Sequence, residues 1–263
     1  MERLSKGSKV YLALVMVVLY APIFFLIFYS FNSGGSMVNF KSFTLEHYKA
    51  VFEDDRLLII LMNTIIVALL SALISTFIGT LGAIGISSMR NRKLRNTVLS
   101  MNNVLIVSPD VIIGASFLIL FTIVGVKLGF MSVVLSHIAF SIPIVVIMVL
   151  PKLQEMSSSL IDAARDLGAS QRDILTRVII PFIKPGIFAG FFMALTYSLD
   201  DFAVTFFVTG NGFSTLSVEI YSMARAGVSL TVNAISGLVF FVTIILVLGY
   251  HFITTRKKTG VRN

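Results

Sequence analysis

An all-α bundle of six membrane-spanning helices is the fold this sequence predicts, and three observations predict it. Hydrophobic residues make up 56% of the chain and charged residues 13%, with a mean hydropathy of +0.94, outside the range of soluble globular domains. Six apolar runs are each long enough to cross about 30 Å of hydrocarbon, which takes about 20 helical residues. Lys and Arg rise and fall in number from one gap between runs to the next, as they do in the loops of a polytopic protein.

The first run, 10–31, follows a basic start but is longer than the roughly 7–15 residues of a secretory signal core. No Ala-x-Ala site follows it, so it reads as a retained helix. The others fall at 59–87, 104–126, 130–150, 186–208 and 232–254. Of the 21 Lys and Arg, sixteen lie before the first run, in the gaps 88–103 and 151–185, or after the last run. The remaining five are Lys41, Lys49, Arg56, Lys127 and Arg225. The positive-inside rule then places both termini and the 151–185 gap in the cytoplasm. No linker or tandem domain interrupts the pattern, so 1–263 reads as one membrane domain.

Several chemistries are excluded. With Cys at 0 there are no disulfides and no thiolate metal sites. A phosphate-binding Gly-x-x-x-x-Gly-Lys-Ser/Thr loop is missing, so this chain cannot supply ATP hydrolysis. His47, His137 and His251 lack metal-ligand spacing, and no Gly-x-Ser-x-Gly elbow occurs. The net charge of +8 would suggest nucleic acid in a soluble protein. Here it is sorted by membrane side, so a nucleic-acid partner is not expected.

Small and polar residues inside the runs mark contacts and paths. Gly79, Gly82 and Gly85, and Gly186 with Gly190, allow close helix approach, either within the bundle or at a seam with a second membrane subunit. His137 is open to two readings, a hydrogen-bonded packing residue or a residue lining a path. Ionised side chains in a span cost several kcal/mol unless solvated or paired, and three acids stand out. Asp110 follows Pro109 near the cytoplasmic end of the third run, and Asp200 and Asp201 lie in the outer half of the fifth. Helical neighbours point about 100° apart, so both can hardly face one path. Either these acids guide a cation, for which no matching Lys or Arg lies inside the runs, or they bond to backbone, to water at an interface or to a partner subunit.

The 151–185 gap is the most specific segment. Two Ser-x-x-Asp starts, Ser159 to Asp162 and Ser170 to Asp173, suit the N-termini of two short helices. Gly168 suits the end of the first, and Pro181 with Pro185 limits the second. Leu160, Ile161, Ala164 and Leu167 share one face at helical spacing, with Asp162, Arg165, Asp166 and Arg172 around it. Such a segment is suited to fill a groove in another protein.

Asp162-Ala163-Ala164, then Gly168-Ala169 and Pro181, resembles the cytoplasmic EAA loop of ATP-binding-cassette importer permeases. The leading acid departs from the usual Glu by one methylene. Ser108-Pro109-Asp110, Ser136-His137, Ser198-Leu199-Asp200-Asp201 and Ile220-Tyr221-Ser222 extend the likeness over most of the chain. They are similar to stretches of spermidine/putrescine importer permeases, of the second membrane-subunit type. Permeases for iron, phosphonate and other solutes are related alternatives.

The resemblance implies a type I ABC importer permease fold, with Asp162, Ala163, Ala164, Gly168, Ala169 and Pro181 coupling to a separate ATPase. It also implies three partners: a second homologous permease, a dimeric ATPase that uses ATP and Mg, and an extracytoplasmic polyamine-binding protein. No cofactor is expected in this chain and no catalysis. Asp110, Asp200 and Asp201 are the expected substrate-path residues. A secondary transporter or a small channel would not need the 159–185 segment, and a neighbouring ATPase gene would separate these readings.

Overall fold

A computed structural model describes residues 5–227, 229–241 and 244, and among these the regular structure is helical. The chain divides into two compact units, Ile59–Glu219 and the flanking Met1–Leu58 with Ile220–Asn263.

In the flanking unit, α1 (Lys6–Ser30) opens on Ser5, whose hydroxyl accepts the Ser8 amide at 3.2 Å. Its apolar side chains, such as Val10, Val17 and Phe24, are exposed, as a lipid-facing helix requires. The loop after it is organised by Asn32, which is fully buried. Its amide donates to the carbonyls of Ser36 and Asn39, and its Oδ1 accepts from the Gly34 and Lys41 amides. Phe31 stacks on Phe43 with centroids 5.1 Å apart, and Ser30 bonds the Tyr48 hydroxyl at 2.7 Å. Tyr48 belongs to a short helix, α2 (Glu46–Glu53).

The larger unit holds the core. Most of α3 (Asp55–Ser87) packs there with α6 (Phe130–Glu155) and α9 (Ile180–Asp200). Val145 of α6 sits between two glycines. A Cβ on Gly79 would stand 2.7 Å from the Val145 Cβ, and one on Gly190 would stand 3.1 Å from its Cγ1. Gly186 meets the Met148 carbonyl and the Lys152 stem in the same way, at 3.0 Å. These glycines therefore serve packing within the bundle, while Gly85 has open space around it.

The third predicted span is corrected. It is two helices, α4 (Arg92–Val107) and α5 (Asp110–Val124), bent by 104°. Pro109 has no amide to donate and forces Ser108 into an extended conformation, ψ 139°, which no helix can run through. Asp110 consequently opens α5 rather than lying inside a span.

The fifth span is also corrected, at both ends. The chain is helical from Gln171 to Asp200 without interruption by Pro181 or Pro185. After the opening turn α8 (Gln171–Asp173), a π-helical turn, Ile174–Ile179, widens the helix just before Pro181. There the Ile180 amide reaches back to the Leu175 carbonyl, so the Arg177 carbonyl that Pro181 would obstruct is already out of register, while Pro185 lies inside the regular helix α9. At the other end the helix stops at Asp200. Asp201 is extended, and a separate short helix, α10 (Ala203–Val208), follows.

Among the described residues four helices are long and apolar enough to cross a membrane, or five if the bent pair is one span. A shorter apolar helix, α12 (Leu230–Phe241), covers part of the predicted sixth span, the remainder of which lies outside the described residues. Between α10 and α12 runs α11 (Leu216–Ala226).

Candidate functional site: an acidic cavity and a cytoplasmic-type loop

Asp110 is distant in sequence from the adjacent Asp200 and Asp201, yet the three meet at one cavity of about 320 Å³. Among the described residues Met193, Thr196, Tyr197, Phe202 and Ala203 complete its lining, with no Lys or Arg. The Pro109 break brings Asp110 here, at the N-terminus of α5, where a carboxylate is favoured by the helix dipole. The Tyr197 hydroxyl donates to Asp110 at 3.0 Å. Asp110 is thus level with the end of α9. Gly114 lets α10 cross close by, since a Cβ there would lie 3.0 Å from the Val204 Cα.

The two adjacent acids differ. Asp200 is exposed at the cavity. Asp201, 8% exposed, turns inward and bonds the start of α10. Its carboxylate accepts the Val204 amide at 3.3 Å, the Thr205 amide at 2.8 Å and the Thr205 hydroxyl at 2.7 Å. His137 lies 3.4 Å from the same carboxylate, and its two ring nitrogens contact the Ser198 and Thr205 hydroxyls. The helix break allows both acids to border one cavity, which helical spacing alone would forbid.

Sequence reading missed Tyr197, Ser198 and Thr205 as partners. The available signal was a buried His and a buried acid within apolar runs, each of which must find hydrogen bonds.

The second candidate element lies at the other end of the continuous helix Gln171–Asp200, roughly 45 Å away at 1.5 Å per residue. Helix α7 (Ser158–Asp166) is capped by Ser157, not Ser159: the Ser157 hydroxyl accepts the Ser159 amide at 3.3 Å. Asp162 instead pairs with Arg165 at 3.4 Å. The second cap is as expected, with Ser170 accepting the Asp173 amide at 3.2 Å. The Ser170 hydroxyl also donates to the Asp173 carboxylate, and Arg177 lies 3.2 Å from it.

Gly168 ends α7 in the left-handed region, φ +78°, and Ala169 closes the turn by bonding the Ala164 carbonyl at 3.0 Å. Ala163 and Pro181 are exposed, and Ala164 and Ala169 half-buried. Leu167 is 88% exposed and Leu160 46%, which leaves an apolar edge uncovered.

Comparison with known proteins agrees with this architecture. Residues 75–256 match the family model described as binding-protein-dependent transport system inner membrane component. The spermidine/putrescine transport system permease protein PotC of Escherichia coli is 36% identical over 258 residues, covering 98% of this chain and 97% of that protein. The putrescine transport system permease protein PotI of Escherichia coli is 29% identical over 266 residues, with 98% and 95% covered.

Among solved structures, a bacterial ABC transporter involved in the import of alginate superposes with a TM-score of 0.72 at 16% identity. That match covers 95% of this chain and 94% of the other. The MetNI methionine ABC transporter gives 0.60 at 21% identity, covering 74% and 93%. These likenesses establish a type I ABC importer permease fold. A family match over most of the chain and relatives aligned along nearly all of it make one conclusion plain: the chain belongs to the binding-protein-dependent transport system inner membrane components, as a multi-pass permease.

Proposed function

We propose that this permease forms half of the translocation path of an ATP-driven importer of polyamines such as spermidine and putrescine. The observation that carries the reading is the cavity: three carboxylates border it and no base does. A polyamine alternates ammonium groups with methylene runs. Carboxylates suit the first, and the faces of Tyr197, Phe202 and Met193 suit the second. The names of the two polyamine-permease relatives support the same substrate class.

Asp110 and Asp200 are the acids that meet the cation, while Asp201 mainly fixes the helix break. A second homologous permease supplies the other half of the path, and an extracytoplasmic binding protein delivers substrate. Both termini lie in the cytoplasm. The uncovered edge of α7, with Asp162, Ala163, Ala164, Gly168, Ala169 and Pro181 at or near it, docks into a dimeric ATPase that consumes ATP with Mg. Apolar Leu160 and Leu167 supply the contact area, and the charges around them its register. This chain contributes no catalysis.

The test is uptake of labelled spermidine and putrescine by the reconstituted complex, with and without ATP. ATP-dependent accumulation of either is the expected result. A complex that hydrolyses ATP yet accumulates neither, while importing another class of solute, would overturn the substrate assignment.

A further inference from the structure

The end of α9 presents two adjacent stripes. Met193, Tyr197 and Asp200 border the cavity. Ala194 and Ser198, each one residue further on, are buried, as is Asp201 just past the helix end. Neighbouring helical residues diverge by about 100°, so whatever fixes the buried stripe also sets the direction of the cavity stripe.

A hydrogen-bond chain through His137 does the fixing. His137 stands on α6 and is 1% exposed. Its Nδ1 lies 2.6 Å from the Ser198 hydroxyl, which lies 3.0 Å from the Ser71 hydroxyl on α3. On the other side, Nε2 lies 2.8 Å from the Thr205 hydroxyl, which donates to Asp201 at 2.7 Å.

Proton counting gives the chain a direction. A carboxylate only accepts, so the Thr205 proton goes to Asp201, and Thr205 accepts from Nε2–H. A neutral ring then has Nδ1 free to accept the Ser198 proton. Ser71, His137, Ser198 and Thr205, with Asp201 at the end of the chain, tie α3, α6, the last turn of α9 and the start of α10 together. The ring touches none of the cavity's open volume, because it sits behind Ser198 and Asp201.

We propose that His137 is a positioning residue for cation passage: it holds the α9–α10 break in one orientation, so that Asp200 and Tyr197 face the cavity. The inference rests on the reading of that cavity as the substrate path. His137 is not a gate or a ligand. It acts through Ser198 and Asp201 on the residues beside them.

The measurement is spermidine imported per ATP hydrolysed by assembled, reconstituted complex, for His137→Ala, His137→Gln, Asp200→Asn and the His137→Ala/Asp200→Asn double variant. His137→Ala is expected to lower that ratio about tenfold, the scale of one lost buried hydrogen bond with its unpaired partner. His137→Gln keeps one donor and one acceptor and should restore part of it. Because His137 acts through Asp200, the double variant should be little worse than Asp200→Asn alone.

An unchanged ratio in His137→Ala beside a lowered one in Asp200→Asn overturns the positioning role and leaves the substrate path standing. An unchanged ratio in Asp200→Asn removes the path reading itself. If His137→Ala does not assemble, Thr205→Val breaks one link of the same chain and is read instead. Loss of assembly in His137→Gln and Thr205→Val as well would make the chain purely structural and overturn the proposal.

Discussion

Asp200 and Asp201 are adjacent carboxylates with different surroundings, so one substitution has two different consequences. Asp200→Asn removes a charge from an exposed side chain at the cavity. Complex assembly should be unchanged, while spermidine uptake per complex falls about tenfold, as expected for a carboxylate facing a cation in a low-dielectric path. Asp201→Asn leaves one carbonyl oxygen for the Val204 amide and the Thr205 amide and hydroxyl, so a buried donor loses its acceptor, at a cost of about 1–3 kcal/mol. The amount of assembled complex should fall and its melting temperature with it. Quantified complex in detergent and uptake in proteoliposomes separate the two effects, and the reverse assignment would contradict the hydrogen bonding seen at Asp201.

Gly168 makes a similar contrast possible. Nothing lies within 4 Å of a Cβ placed there, so the strain of Gly168→Leu is entirely in the backbone, about 1–2 kcal/mol for a left-handed non-glycine residue. Substrate-stimulated ATP hydrolysis should drop several-fold. Gly168→Asn, whose residue type visits that region more readily, should retain most of it.

At the scale of elements, the clamp on Val145 is the tightest point of the core. Gly79→Leu would drive a branched side chain into Val145 and destabilise the bundle by about 1–3 kcal/mol, visible as a lower melting temperature and yield. Gly85→Ala, near the end of α3 and facing open space, should change neither. Equal damage from both would mean that the packing between α3 and α6 is looser than the glycine contacts require.

The first, second and fourth predicted spans largely match their helices, because long uninterrupted apolar runs leave few alternatives. The third and fifth were harder to read. Pro109 broke a helix that hydropathy alone runs straight through, whereas Pro181 and Pro185 did not break one that they were expected to end. The difference is local: an extended Ser108 precedes the first, and a π-helical turn precedes the others. No composition pattern distinguishes these outcomes. The acids of the site were legible singly, since a carboxylate in an apolar run stands out. Their meeting at one cavity was not, because it depends on that break and on the one after Asp200.

For the whole molecule, orientation is the property with the broadest consequences. The native chain has no thiol, so single cysteines report topology cleanly. Cysteines at Ser42 and Ser229 should react with an impermeant reagent added outside, and those at Asn91 and Ser170 only after the membrane is opened. All four positions are exposed. The opposite pattern would invert every loop and detach the α7 segment from any cytoplasmic ATPase. This much was already implicit in sixteen basic residues against five, a signal that needs no tertiary structure.

One feature of the larger unit has a mechanical meaning. The helix from Gln171 to Asp200 joins the segment after Gly168 to the cavity without a break, across 30 residues, or roughly 45 Å. It is a lever arm. A tilt of about 5° at the loop end would carry the cavity end sideways by about 4 Å over such a length, more than the width of a hydrogen bond. An ammonium ion held by carboxylates would feel that displacement as a change of partners. The widened turn at 174–179 lies close to the loop, where compliance lowers the transmitted angle most. Stiffness in those six residues therefore sets the mechanical advantage of the whole arm.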